Sequence, residues 1–475
     1  MPSEIVPNLK KFRDNIYNFF THRKDAALNL LDALSSNTSA KSVMDLSLSP
    51  LHHRNYCSIT RVVSKFYFGA ESTQEKNHEL TKILCGYCPP LQNRPYHLFA
   101  ADCTSSPRPF SPTQEDRSFV YWPNGVSSKK PVTIGHKYSV TAYLPEKEKG
   151  DPPWLIPLAC ARVSTQEKGT VVGLNQINDC LSQEFFSEKL CVSVLDSEYS
   201  NHECLTEAKK NKNNVVIARL KSNRVLYIPP DPLDPNEPKK GRLKKFGQKF
   251  NLKDPVTWPE HSQKITVSDC NKKGEEIEIR IQSWDKVLMR DKRGSNLSDT
   301  PMRLIRIAYV KKESQEELFR KPLWLLVYGN RCQELSLTDI FKAYRQRFDL
   351  EHFFRFGKNN ILMGQFQTPV LRHEEAWWQL ILLSYFQLYL ARGLATHQLK
   401  PWEKNCPAFK LDKKITPTQV QRCFGIITKE IGTPAKISKG HRKAQGRKKG
   451  ELQTKRVRHP VVVKKKTAQP GTQQV

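Results

Sequence analysis

The sequence predicts a mixed α/β chain, and three features of its 475 residues say so. Stretches with helical periodicity fill the first ninety-odd residues. Short apolar runs of strand length, punctuated by Pro and Gly, begin at about residue 95 and alternate with helical sequence. An alternating, β-rich segment then interrupts that pattern before a final helical region and a basic tail.

Taken in order, helical spacing is clear in "FRDNIYNFFTHRKDAALNLLDAL" and "SITRVVSKFYF". The runs "YHLFAAD", "PVTIGHKYSVTAYLP", "WLIPLACARVS" and "KLCVSVLDSEYS" read as strands, with "TVVGLNQINDCLSQEFF" as a helix between the last two. "NVVIARLKSNRVLYIPP" reads as two short strands joined at Ser222-Asn223. "PPDPLDPNEPKKGRLKKFGQ" is a Pro- and Lys-rich connector, and "ITVSDCNKKGEEIEIRIQSW" alternates as a hairpin turning near Lys273-Gly274. A strand, "PLWLLVYG", precedes the last helices, among which "AWWQLILLSYFQLYLARGLA" is apolar enough to be buried. The expected divisions are 1–94, helical; 95–228, the first part of an α/β core; 229–318, a β-rich insertion; 319–430, the second part of the core with C-terminal helices; and 431–475, a basic tail low in apolar content and disordered until bound.

Composition narrows the partners. The net charge is +30, from 77 Lys+Arg against 47 Asp+Glu, and such a balance fits a polyanion, nucleic acid above all. Between Lys436 and Lys466 the tail has one acid, Glu451, but the rest of the chain is basic as well. The N-terminus shows no apolar core of the length export needs, and Gln379, Gln387 and Arg392 break the most apolar stretch, so a cytoplasmic protein without a membrane span is expected. The twelve cysteines are scattered, as in a reduced compartment. Cys85 and Cys88 form the one C-x-x-C; zinc would need two more ligands, and His52, His53, Cys57 and Cys103 are only loosely available.

The stretch "YRQRFDLEHFFRFGK", from Tyr344 to Lys358, mixes cations, acids and phenylalanines. Ser336-Leu337-Thr338-Asp339 just upstream is a capping-box pattern that would start a helix. At about 100° per residue, Tyr344, Arg347, Glu351 and Lys358 share a stripe roughly 60° wide, unless Gly357 ends the helix first. One carboxylate among two cations and a phenol suits a phosphate held beside a metal ligand. A solvated i,i+4 ion pair is the plainer reading, and the phenylalanines of "EHFFRF" argue against it. Attack on a phosphodiester with two Mg²⁺ ions needs further carboxylates. Asp102 and Asp196, each closing an apolar strand, are the candidates, although strand-end aspartates also serve as turn and cap residues. Arg219, Lys221 and Arg224 are either phosphate contacts or a solvated turn, and His136 reads as a packed core histidine.

The pattern Tyr344-x2-Arg347-x3-Glu351-x6-Lys358 resembles, at every spacing, the signature of DDE transposases of bacterial insertion sequences. Asp102 in "AADCTS" and Asp196 in "VLDSEYS" look like that family's first two catalytic aspartates, with Glu351 as the third acid. The resemblance implies a ribonuclease H-like core carrying these three carboxylates as ligands of two Mg²⁺ ions, with Mn²⁺ as a substitute. It also implies that Tyr344, Arg347 and Lys358 contact phosphates at the cleaved end, that the N-terminal domain binds DNA ends, and that a β-rich insertion separates Asp196 from Glu351. The long interval between those two residues agrees with an insertion. The implied partners are double-stranded DNA, both terminal inverted repeats and target, and further copies of the chain in a homodimer or higher assembly at the bacterial nucleoid. Trp258 and Trp284 are candidates for the family's base-steadying tryptophan, against a reading as core residues. A nuclease of the same fold without strand transfer, and a non-catalytic DNA-binding protein, are the alternatives.

Overall fold

The computed structural model describes residues 2–122, 131–230, 244–271, 274–290, 297, 302–396, 402, 414–438, 450, 452 and 455–463. Five helices come first: α1 (Pro2–Phe19), α2 (Lys24–Ser35), α3 (Val43–Leu46), α4 (Tyr56–Lys65) and α5 (Thr73–Cys85). There follow β1 (His97–Pro107), β2 (Ser118–Tyr121), β3 (Val132–Tyr143), β4 (Ile156–Val163), α6 (Gly169–Leu181), β5 (Cys191–Leu195), α7 (His202–Ala208) and β6 (Asn214–Arg219). Next are β7 (Val225–Tyr227), β8 (Lys249–Asn251), β9 (Gln263–Cys270), β10 (Glu276–Val287), β11 (Met302–Lys311) and β12 (Leu323–Tyr328). Four helices close the order: α8 (Leu337–Gln346), α9 (Phe348–Asn360), α10 (Leu371–Ala391) and α11 (Pro417–Ile431). The protein is therefore a mixed α/β chain, as the alternation of apolar runs predicts. Most of the Pro- and Lys-rich connector, the turn residue Lys273 and much of the basic tail lie outside the described residues. Among the described residues, no helix is long and apolar enough to cross a membrane.

The chain forms two compact units. One contains Met1–Pro90, Cys103–Gln176 and Phe348–Val475; the other contains Leu91–Asp102 and Ile177–Arg347. In the first, α10 is the central helix. Trp377, Trp378, Leu380, Ile381, Leu382 and Leu383 are all buried, and side chains of this size contribute about 1.5–3 kcal/mol each. Phe12 of α1 stacks on Phe386 at 4.9 Å, and Tyr138 of β3 on Trp378 at 4.1 Å. The buried pair Arg13–Asp32 joins α1 to α2, with the guanidinium also donating to Gln387 of α10 at 3.2 Å. The tail belongs here too. Arg54 donates to Lys436 O, and residues 455–463, without helix or strand, are docked with His459 N bonded to Pro112 O at 2.9 Å and Val462 N to Arg117 O at 2.8 Å. Low apolar content gives no hint of that attachment.

In the second unit the strands run β1-β5-β6-β12-β11-β10-β9. β1, β5 and β6 are parallel, with Ala100 opposite Val194 and Leu195 opposite Ala218. Parallel neighbours are buried on both faces, which explains why Cys191–Leu195 is buried throughout, Ser193 included, whose hydroxyl donates to Asn214 Oδ1 at 2.9 Å. β12 returns antiparallel to β6, and β11, β10 and β9 extend the sheet as an antiparallel meander. The alternating sequence after Pro229 thus continues this sheet. Gly329, at φ 142°, ends β12 where a Cβ would meet Asn214 O at 2.6 Å, so only glycine lets β12 and the start of β6 approach. Phe250, Trp258, Trp284 and Trp324 pack into one aromatic cluster, with ring centroids 5.2–6.2 Å apart.

Candidate active site

Asp102 stands where the buried run of β1 first meets solvent, its side chain 25% exposed. Asp196 directly follows the last residue of β5. Because Ala100 of β1 lies opposite Val194 of the parallel β5, Asp102 and Asp196, each two residues further on, occupy equivalent positions on adjacent strands. Asp196 accepts a hydrogen bond from Glu198 N at 2.9 Å, an Asx turn that fixes the carboxylate beside the strand end.

α8 delivers the neighbouring cation and phenol. Ser336 starts it through the expected capping box, accepting from Asp339 N at 3.1 Å while Asp339 Oδ2 accepts from Ser336 N at 3.2 Å. At its end Arg347 is buried, and its Nη1 lies 3.4 Å from Asp102 Oδ2. The guanidinium also sits 5.9 Å from the centre of the Tyr344 ring. Burial raises the Tyr344 phenol; Arg347 and Arg219 pull the other way, and the Asp196 charge adds to the rise. The second unit therefore gathers Asp102, Asp196, Tyr344, Arg347 and Arg219. Arg219 is the exposed last residue of β6. Arg224 instead donates to Ser200 O at 3.2 Å, tying its turn to the loop after β5, and Lys221 is exposed.

Glu351 and Lys358 belong to the first unit, on α9. The sequence reading treats Tyr344–Lys358 as one helix; here Arg347 separates α8 from α9 while keeping helical angles (φ −51°, ψ −33°). Gly357 does not end the helix, which runs to Asn360, and its missing side chain makes room for Met363. α9 is fixed at both ends. Near its start Lys147 Nζ donates to the buried Asp349 at 2.7 Å, and near its end Lys358 Nζ donates to Thr104 Oγ1 on β1 at 2.6 Å. Between them Phe353 packs edge-on against Tyr385 of α10, and Glu351 lies on the exposed side. Burial lowers the pKa of Lys358, whose ammonium also lies 5.6 Å from the centre of the Trp122 ring. Of the phenylalanines of "EHFFRF", Phe353 and Phe354 are buried and Phe356 is half-buried, while Glu351 is exposed.

His136 is buried, as expected of a packed histidine, with Nδ1 3.2 Å from Glu374 and Nε2 3.0 Å from Glu115 O. It belongs to a buried polar cluster that the sequence did not suggest. Glu374 accepts from Ser106 at 2.9 Å, from Arg108 at 3.3 Å, and from Gln114. Burial alone would raise this carboxyl, but the bonds to His136, Arg108 and Ser106 outweigh it and hold the pKa at about 2. Trp258 and Trp284 donate to Asn251 O and Pro259 O within the aromatic cluster, which fits the core reading.

Asp102 and Asp196 offer hard oxygen donors on adjacent strand ends, a set that fits Mg²⁺. Among the described residues, no group of three or more His, Cys, Asp or Glu side chains is placed to hold a metal. Cys85 and Cys88 are buried, and burial, with Cys85 alongside, raises the Cys88 thiol.

A sequence model for DDE superfamily endonucleases matches residues 15–290, more than half of the chain. The chain belongs to that family, an outcome in line with its resemblance to DDE transposases. The match includes Asp102 and Asp196 and ends before Tyr344, Arg347, Glu351 and Lys358. No curated protein matches the chain.

Proposed function

We propose that the protein is a DNA transposase that cuts at the ends of an insertion sequence and joins the freed 3′-hydroxyls to target DNA. The observation that carries this reading is the equivalent placement of Asp102 and Asp196 on parallel strands, with Arg347 against Asp102. The strand arrangement supports a ribonuclease H-like core, since β1 has β3 as its neighbour in one unit and β5 in the other. In this reading residues 229–318 elaborate that core, residues 1–94 bind DNA ends, and Glu351 is the third carboxylate. Asp102, Asp196 and Glu351 would hold two Mg²⁺ ions, or Mn²⁺ in their place. The chemistry such ions would supply is Lewis-acid activation of a water and stabilisation of the leaving oxygen.

The protein's own contribution is positioning. Arg347 presents a planar fork of donors to phosphate oxygens, with the Tyr344 ring centre 5.9 Å from its guanidinium. Lys358 adds a point charge held by Thr104, and Arg219 an exposed cation at the end of β6. Such groups keep a scissile phosphate in line for attack. Two ends must be paired, so we expect a homodimer or higher assembly on DNA, working at the bacterial nucleoid.

The test is incubation of a labelled duplex carrying the element end with Mg²⁺ and a target plasmid. Cutting and joined products are expected from the native protein and neither from Asp102→Ala. Unimpaired cutting by Asp102→Ala would remove the basis of the assignment. The matching family is described as endonucleases, which favours a second reading, cutting without joining. Cut ends with no joined product would establish it.

A further inference from the structure

We propose that residues 455–463 form a docked basic strap that grips the phosphate backbone of duplex DNA. The sequence there, "KRVRHPVVV", holds three fixed cations and no acid. Its second half is the anchor. Val462 N donates to Arg117 O at 2.8 Å and His459 N to Pro112 O at 2.9 Å, while Val461 and Val462 are half-buried. Arg117 also reaches back. Its buried guanidinium donates to Gln114 O and Arg108 O at 3.1 Å and to His459 O at 3.4 Å. Arg108 in turn is held by Glu374, so the strap is tied to the most buried polar cluster of its unit.

The first half is the working part. Lys455, Arg456 and Arg458 are exposed, three cations on a backbone pinned directly downstream. Arg456 is close enough to His373, at the start of α10, for its charge to act with burial in lowering the imidazole pKa. Cations on a pinned segment surrender less freedom on binding than those on a free tail. Contacts of this kind add affinity and salt dependence without reading sequence. The proposal rests on the protein acting on DNA and not on chemistry at Asp102 and Asp196, so loss of cutting and loss of the strap are separately visible.

Two variants of the full-length chain test it, on a labelled duplex of arbitrary sequence without Mg²⁺. The readout is the slope of log affinity against log salt, with thermal melting as the folding control. Lys455→Gln/Arg456→Gln/Arg458→Gln should weaken binding and flatten the slope by up to about 2.7, or about 0.9 for each phosphate no longer neutralised. Val462→Pro keeps every charge but removes the N–H that bonds Arg117 O. It should flatten the slope in part at an unchanged melting temperature. An unchanged slope in the triple variant overturns the proposal. A flattened slope in the triple variant with none in Val462→Pro overturns the docking, because the charges would then act as a free tail. Weakening confined to one DNA sequence would also overturn it, since phosphates carry no sequence.

Discussion

Glu374 and the aspartates Asp102 and Asp196 are all carboxylates of this one chain, yet they are built to opposite ends. Glu374 is fully buried and surrounded by donors from Ser106, Arg108, Gln114 and His136. Asp102 is a quarter exposed, and Asp196 ends its strand in a turn. A carboxylate saturated by protein donors has no lone pair left for a metal or a substrate and stabilises the fold that surrounds it. One at a strand end, part-solvated and beside a second, can change ligands. Burial and charge alone would have ranked Glu374 first as a functional residue; the saturation of its partners assigns it to structure.

The sharpest way to break this contrast is to remove each carboxylate. Asp102→Ala or Asp196→Ala should reduce strand cutting to the level of buffer while DNA binding and melting temperature stay near native values, measured on a labelled element end. Glu351→Ala, at the proposed third acid, should behave alike; normal cutting would return Glu351 to an ordinary surface glutamate. Glu374→Ala should act through stability. It leaves Arg108 buried without its carboxylate, a loss of about 3–5 kcal/mol seen in denaturant melts, with cutting reduced only as the folded fraction falls. A Glu374→Gln protein that melts normally but does not cut would collapse the distinction.

Acid supplies the next largest effect. The folded Glu374 carboxyl titrates at about 2 against an ordinary 4.5, so its contribution is complete above the ordinary value and is lost as pH falls towards 2. The loss is on the order of 3 kcal/mol at about 1.4 kcal/mol per pKa unit, and should show in melts across that window. The same melts on Glu374→Gln should be flatter. The smallest effect expected is Arg347→Lys, which keeps the charge but not the fork. Cutting should fall about tenfold to a hundredfold, or roughly 1.4–2.7 kcal/mol, at a native melting temperature. Full activity there, and in Lys358→Ala, would reduce Arg347 and Lys358 to structural partners of Asp102 and Thr104.

Legibility in the sequence followed how local each feature is. The capping box at Ser336 and the buried run of β5 are written in consecutive residues and appear as expected. β11 escaped because its arginines hide it. Arg303 is buried on a strand, donating to Leu335 O and Gln263, partners distant in sequence. The Glu374 cluster draws on β1, the loop before β2, β3 and α10, and nothing adjacent distinguishes Glu374 from Glu375. Asp102 and Asp196 could be picked out as strand ends, but their equivalence depends on the parallel pairing of β1 with β5, which no single run encodes. The helical stripe assumes one straight helix, whereas the chain divides at Arg347.

The pairing of β6 with β12 bears on how the protein is made. Arg219 lies opposite Leu325, so a ribosome must complete all of β7 to β11 before β6 acquires its second neighbour. Until then the apolar run Val215–Ala218 presents an open edge, on which a nascent chain can recruit another copy of itself. Sheets closed by such distant partners also form slowly. Slowing translation between β6 and β12 should therefore lower the soluble yield, measured as the soluble fraction after expression.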